Sequence, residues 1–166
     1  MLMATNLTFS CLEDSFGGLL PPEYVSLFYY DICINKETDY HHFYDWSIEV
    51  EDFLKRNNTL IEVKDEKDLP TSVKENEVYY SFSKKDNQNK AAAFFRHLRN
   101  AFSHFSISYD GKCLCLKDSY FEKGKTKITM IGKIDQNAFK GLMDIFFNQK
   151  REEEEEKYNK NLYPEL

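Results

Sequence analysis

A short polar run in the second half of the chain holds the residues best suited to chemistry. Arg99, Asn100 and His104 fall within six residues of one another and combine a fixed cation, an amide and a titratable imidazole. A guanidinium donates hydrogen bonds to phosphoryl oxygens, and an imidazole exchanges protons at neutral pH. Groups of these kinds can break an RNA phosphodiester bond without a metal, so we take the three as candidate catalytic residues.

An amphipathic helix must position these residues. The spacing predicts a helix over 86–105, because its apolar residues fall within an arc of about 120° at 100° per residue. That stripe is formed by Ala91, Phe94, Phe95, Leu98, Ala101, Phe102 and Phe105. The opposite side holds the three candidates together with Arg96 and Ser103, and His97 lies at its edge. Arg96 and Ser103 are one turn from Asn100 and Arg99, so we expect them to contact substrate.

The segments after this helix predict a hairpin and a closing helix. Asp110-Gly111 fits a hairpin turn between strands over 107–116, and a second turn leads into an alternating strand at 126–131. Asp135 is expected to cap a final helix that ends near Gln149.

The first half of the chain gives weaker signals. Asp39 is a plausible cap for a helix over 40–56. The stretch 57–77 is charged and broken by Pro70, which predicts a loop with a short strand at 60–63. Val78, Tyr80 and Phe82 alternate, and strand and helix both stay open there.

These elements together predict a mainly α fold with small antiparallel strands between the motif helix and the last helix. With 166 residues the chain can form one domain, which we place at 1–150. Residues 151–166 contain the run Glu152–Glu156 and are expected to form an acidic helix extension or a disordered tail.

Charge is distributed unevenly along the chain. The net charge is −6, yet residues 84–133 carry 11 basic against 4 acidic residues, while residues 1–83 carry 6 basic against 16 acidic. The segment with the polar run is therefore the one that could attract phosphate. Its lysines could equally serve only to keep an exposed hairpin soluble.

Neither cofactor chemistry nor membrane insertion is predicted. No apolar run approaches the roughly 20 residues of a membrane span, and the amino terminus lacks a basic region followed by an apolar stretch, so we expect a soluble, cytoplasmic protein. The four cysteines form no CxxC pair and are expected to be buried and reduced. His41 and His42 could begin a metal site with Asp45 and Glu49, or could belong to a solvated helix face; we predict no metal.

The pattern Arg99-Asn100-x-x-x-His104, preceded by Phe94-Phe95-Arg96-His97-Leu98, resembles the signature of the HEPN family (higher eukaryotes and prokaryotes nucleotide-binding). Members of that family are small helical bundles, so the resemblance implies that this chain is a helical bundle with its small strands between the motif helix and the last helix. The resemblance extends over about 84–150, whereas residues 1–83 match only in length and predicted helicity.

The resemblance implies a metal-independent endoribonuclease that acts as a homodimer through the motif helix. In that scheme the ribose 2′-hydroxyl attacks phosphorus and leaves a 2′,3′-cyclic phosphate. His104 would exchange the proton, Arg99 would bind the phosphoryl oxygens, and Asn100 would orient the phosphate or the imidazole. Ala92 and Ala93 are small enough for a second helix to approach, or for a loop to cover them. RNA, and tRNA in particular, is the expected substrate.

The resemblance also leaves the biological role open. Some HEPN domains only bind RNA or nucleotides, or only dimerise, and that non-catalytic role is the alternative to a toxin or defence nuclease. In HEPN toxins paired with a nucleotidyltransferase antitoxin, a tyrosine usually stands two residues after the histidine. Here that position is Ser106, so modification by such a partner is not expected, although an antitoxin of another kind stays possible.

Overall fold

The computed structural model describes residues 45–83, 86 and 88–162, which form three α-helices and five β-strands. A short 3-10 helix at Glu66–Asp68 follows the first strand. The elements in chain order are α1 Ile48–Arg56, β1 Leu60–Val63, β2 Glu77–Tyr80, α2 Lys90–Ser103, β3 Ile107–Tyr109, β4 Cys113–Glu122, β5 Lys125–Asp135 and α3 Gln136–Leu162.

The strands form one mixed sheet in the order β1-β2-β5-β4-β3. β1 and β2 are parallel, and the other neighbours are antiparallel. One set of alternating strand residues, which includes Val78, Leu116 and Met130, joins the apolar faces of the three helices in a single core. The described part of the chain is therefore a sheet with its helices packed on one face.

This architecture shows that the predicted helical bundle is wrong. The chain has an α/β fold with a five-stranded mixed sheet, and the strands are not a small insertion between two helices. The hairpin strands β4 and β5 are 10 and 11 residues long, and β2 extends their sheet by pairing with β5, whose partner residues lie 50 to 56 positions later in the sequence. Segments of four residues such as β1 and β2 show too little periodicity to predict such remote pairing.

The motif helix α2 is shorter than predicted. Asn89 caps its start by accepting a hydrogen bond from the backbone N–H of Ala92 at 2.9 Å. Its end is fixed at His104, because Phe105 adopts a φ of +53° that ends the helix. Phe105 was predicted in the core stripe, but it lies beyond the helix end and is 52% exposed.

The flanking helices differ from expectation in their bounds. Ser47, rather than Asp39, precedes α1 and caps it by accepting from Val50 N–H; Asp39 lies outside the described residues. The Asp135 cap is confirmed, since its carboxylate accepts from the backbone N–H groups of Asn137 and Ala138. α3 continues through the Glu152–Glu156 run to Leu162. Within the described ranges, no helix has both the length and the apolar character needed to cross a bilayer.

Close approach of two central strands requires a glycine at position 132. A Cβ built on Gly132 would lie 2.8 Å from both Cγ atoms of Val78, the buried residue opposite it on β2. Val78 is β-branched and fully buried, so it has little freedom to move away.

We therefore expect Gly132→Ala to destabilise the fold by about 1–3 kcal/mol through overpacking. Urea denaturation followed by circular dichroism measures the loss. Thr126→Ala, at an exposed site on the same strand, should change the free energy of unfolding by less than about 0.5 kcal/mol. Equal stability of Gly132→Ala and the wild type would contradict the packing described for β2 and β5.

Candidate functional site

The three candidate catalytic residues lie together at the carboxyl end of α2. The backbone N–H of His104 donates to the carbonyl oxygen of Asn100 at 2.9 Å, so His104 follows Asn100 by one helical turn on the same side. Arg99 and Asn100 are half-buried, and His104 is exposed. No side-chain hydrogen bond to the His104 imidazole is formed from the residues that the structure describes.

A buried carboxylate on β4 anchors this end of the helix. Asp118 is 5% exposed, and its Oδ2 accepts hydrogen bonds from Nδ2 of Asn100 at 3.2 Å and from Nδ1 of His97 at 2.7 Å. Burial by itself would raise the pKa of Asp118, but the bond and charge of His97, with further hydrogen bonds from Asn100 and Thr129, hold that pKa below its usual range. Asp118 is therefore ionised under a helix that supplies its hydrogen-bond donors.

Asp118 was not among the site residues predicted from the sequence. It continues the alternation of Leu114 and Leu116 on the buried side of β4, and that period of two was the available signal. A carboxylate at a core position of a strand requires donors from the element that covers it.

Arg99 is held through a neutral side chain. Its Nη2 donates to Oδ1 of Asn100 at 2.8 Å, and no described carboxylate lies within ion-pair distance of its guanidinium. Asn100 in turn donates to Asp118. The amide thus fixes the guanidinium without cancelling its charge, and most of the five N–H donors of Arg99 have no bond to a described residue.

Arg96, a predicted substrate contact, is engaged inside the chain. Its Nε and Nη2 each donate to a different carboxylate oxygen of Asp86 at 2.8 Å, which is a bidentate ion pair. Burial would raise the pKa of Asp86, but the hydrogen bonds from Arg96 and from Ser83 hold it below its ordinary value. This pair balances the charge of Arg96, whereas that of Arg99 is not balanced by a described carboxylate.

His97 is a fully buried part of the same network. Its Nδ1 donates to Asp118, and its Nε2 lies 2.8 Å from the carbonyl oxygen of Ser81 and 2.9 Å from Nη2 of Arg96. The sequence placed this residue at the edge of the polar face. With no solvent access and both ring nitrogens in contact, His97 ties α2 to β4 and to the segment after β2.

Two further expectations concerned the surface of α2. Ser103 is exposed one turn after Arg99, at the last position of the helix. Ala92 and Ala93, expected to admit a second helix or lie under a loop, are 3% and 0% exposed within this single chain. That part of α2 is therefore already covered, and the exposed or half-buried candidate residues Arg99, Asn100, Ser103 and His104 lie at its carboxyl end.

The basic segment is largely neutralised in space. Its charged residues pair with carboxylates from several elements: Lys90 with Glu51, Arg96 with Asp86, Lys112 with Glu75, Lys127 with Glu66 and Glu122, and Lys133 with Asp110. Among the described basic residues of the segment, no such partner is found for Arg99, Lys117, Lys123 and Lys125. Of the three basic residues on α2, Arg99 is therefore the one without a described carboxylate partner.

The described residues contain no cluster of three or more His, Cys, Asp or Glu side chains that could hold a metal ion. His41 and His42, the start of the metal site considered from the sequence, lie outside those residues. Cys113 is buried and Cys115 half-buried, and both are free thiols.

Comparison with known proteins adds no relative, since no family model, no curated protein and no solved structure matches this chain.

The Asp118 network makes stability sensitive to acid. The pKa of Asp118 in the folded protein lies below its unfolded value of about 3.9. The ionised carboxylate therefore contributes fully to the free energy of unfolding at pH values well above about 3.9, and this contribution is lost as the pH falls through the folded pKa. We expect Asp118→Asn to lower the free energy of unfolding at pH 7 by about 1.5–3 kcal/mol, because hydrogen bonds to a charged acceptor are lost. Between pH 5 and pH 3 the gap between variant and wild type should narrow.

Urea denaturation at each pH measures this gap. Asp52→Asn is the matched control, because Asp52 is exposed on α1 and only loosely paired with Lys55. A gap that stays constant down to pH 3 would contradict an ionised Asp118 held by His97 and Asn100.

Proposed function

We propose that this protein is a metal-independent endoribonuclease in which Arg99 and His104 act on an RNA phosphodiester. The observation that carries the proposal is the guanidinium of Arg99, which pairs with no described carboxylate and is fixed through Asn100 on buried Asp118. His104 follows Asn100 by one turn with its imidazole exposed. A positioned cation beside a titratable imidazole is suited to bind a phosphate and move a proton near it.

The proposed reaction is an internal phosphoryl transfer. The 2′-oxygen forms a bond to phosphorus while the bond from phosphorus to the 5′-oxygen breaks, which gives a 2′,3′-cyclic phosphate and a 5′-hydroxyl. His104 accepts the proton of the 2′-hydroxyl or delivers one to the 5′-oxygen, and water serves the other position. Arg99 donates to the non-bridging oxygens, where negative charge increases in the transition state.

Support for the proposal comes from the motif and its positioning rather than from a shared fold. The described residues form a mixed sheet with helices rather than the helical bundle implied by the HEPN resemblance, and sites of the same chemistry recur on unrelated folds. A homodimer would place a second Arg99 and His104 opposite the first. Because Ala92 and Ala93 are buried, such a dimer would meet through the carboxyl end of α2. The activity suits a toxin or defence nuclease, with or without an antitoxin.

A non-catalytic RNA-binding module is the second candidate, and one observation favours it. No described side chain orients the His104 imidazole, whereas catalytic imidazoles are commonly fixed by a partner that sets their tautomer. In this case Arg99 binds phosphate and no bond is broken.

Incubation of total RNA and tRNA with the full chain in EDTA tests the proposal. We expect cleavage with cyclic-phosphate ends by the wild type, and a loss of about 10²–10⁴-fold in rate for His104→Ala. Arg99→Ala should lose a comparable factor. Arg56→Ala, at the exposed end of α1, is the matched control and should cleave as the wild type does.

The outcomes separate the two candidates. RNA binding by a folded wild type, weakened by Arg99→Ala but without cleavage in any sample, would support the binding module. Cleavage that persists in His104→Ala would overturn the assigned role of the imidazole.

A further inference from the structure

A groove of about 460 Å³ opens immediately after His104, on the face of the sheet away from the helices. Its volume falls within the range of roughly 300–1,000 Å³ that is typical of ligand sites. Residues from the end of α2, from β3, β4 and β5, and from the segment before β2 line it: Val73, Phe105, Ser106, Ile107, Ser108, Cys115, Leu116, Lys117, Ile131, Gly132 and Lys133.

The lining combines an apolar floor with one aromatic wall and two cations. Cys115 on β4 is opposite Lys133 on β5, and Lys117 is opposite Ile131. These four residues therefore lie on the same face of the sheet. Lys133 is balanced by Asp110 at 2.7 Å. Lys117 is exposed and makes no ion pair with a described carboxylate. The groove therefore has one cation with no described ion-pair partner beside an apolar surface, which complements an anionic ligand with a flat ring.

Phe105 is held in place at the mouth of this groove. Its backbone N–H donates to the carbonyl oxygen of Phe102 at 3.0 Å, and the next residue, Ser106, donates to Ala101 and accepts from Lys117 N–H at 3.1 Å. The ring is half-exposed although its backbone is fixed. Phe105 directly follows His104, and consecutive Cα atoms are about 3.8 Å apart. The Phe105 ring and the His104 imidazole are therefore attached to neighbouring backbone positions.

We propose that this groove binds one unpaired nucleotide of a single-stranded RNA next to the phosphate held by Arg99. The base stacks on Phe105 above the apolar floor, and the ammonium of Lys117 contacts a neighbouring phosphate. Stacking accepts any base, and it requires a base that is free of a duplex. This inference rests on the proposed function and adds to it the class of substrate: single-stranded RNA or a loop.

Affinity for an RNA that cannot be cleaved tests the groove separately from catalysis. The probe is a fluorescein-labelled single-stranded heptamer with 2′-O-methyl riboses, which lacks the attacking hydroxyl, titrated into the full chain and followed by fluorescence anisotropy. We expect Phe105→Ala to weaken binding at least fivefold. Lys117→Ala should weaken binding and reduce the salt dependence by about one counterion.

Matched controls come from the tip of the β4–β5 hairpin. Phe121 is 74% exposed and Lys125 is exposed without a described ion pair, yet neither lines the groove. Phe121→Ala and Lys125→Ala should bind as the wild type does. Phe105→Trp keeps an aromatic ring on which a base can stack, so it should bind the heptamer as the wild type does. A loss in Phe105→Ala but not in Phe105→Trp would show that stacking, rather than damage to the fold, accounts for the effect.

Each result decides one part of the account. Equal affinity of all groove variants and the wild type, equal losses in the hairpin controls, or no binding of the heptamer by the wild type would overturn the groove proposal. A duplex that binds as tightly as the single strand would also overturn it. If the groove variants behave as expected while the wild type leaves unmodified RNA intact, the groove stands and the nuclease proposal fails.

Discussion

The hydrogen bonds to the buried carboxylate of Asp118 determine how the motif helix lies on the sheet. An ionised carboxylate in the core is tolerated only when donors surround it, and α2 provides two of them from consecutive turns, His97 and Asn100. These two bonds fix the rotation of α2 above β4, and removal of either would leave the charge undersatisfied. Arg99 reaches the surface because its neighbour Asn100 is bound beneath it.

Two arginines on the same helix illustrate how the surroundings decide the role of a charge. Arg96 forms a bidentate ion pair with the buried carboxylate of Asp86, so its charge is neutralised within the chain. Among the described residues, the guanidinium of Arg99 bonds to the neutral amide of Asn100 and pairs with no carboxylate. The same contrast holds among the described lysines of the basic segment: four pair with carboxylates, and three pair with none that the structure describes. Basic residues without a described carboxylate partner therefore lie at the end of α2, in the groove and at the tip of the β4–β5 hairpin.

Local signals in the sequence predicted local structure well. The amphipathic stripe indicated α2, Asp110-Gly111 indicated the hairpin, and Asp135 was confirmed as a helix cap. The fold class was not predictable in this way, because β2 is short and gains its place in the sheet from remote pairing with β5. The role of Asp118 and the burial of His97 likewise depend on tertiary contacts, which join α2 to β4 and to the segment after β2. A motif of six residues specifies one helix face, and it does not specify the fold that carries that face.

The central claim is that Asn100 acts through Arg99 by holding its guanidinium toward a phosphate. A double-mutant cycle on the affinity for 2′-O-methyl single-stranded RNA tests this directly, with wild type, Asn100→Ala, Arg99→Ala and the double variant. If the account is right, Asn100→Ala weakens binding only while Arg99 is present, so the double variant binds as Arg99→Ala does. Losses that simply add, or a wild type that does not bind the RNA, would contradict it.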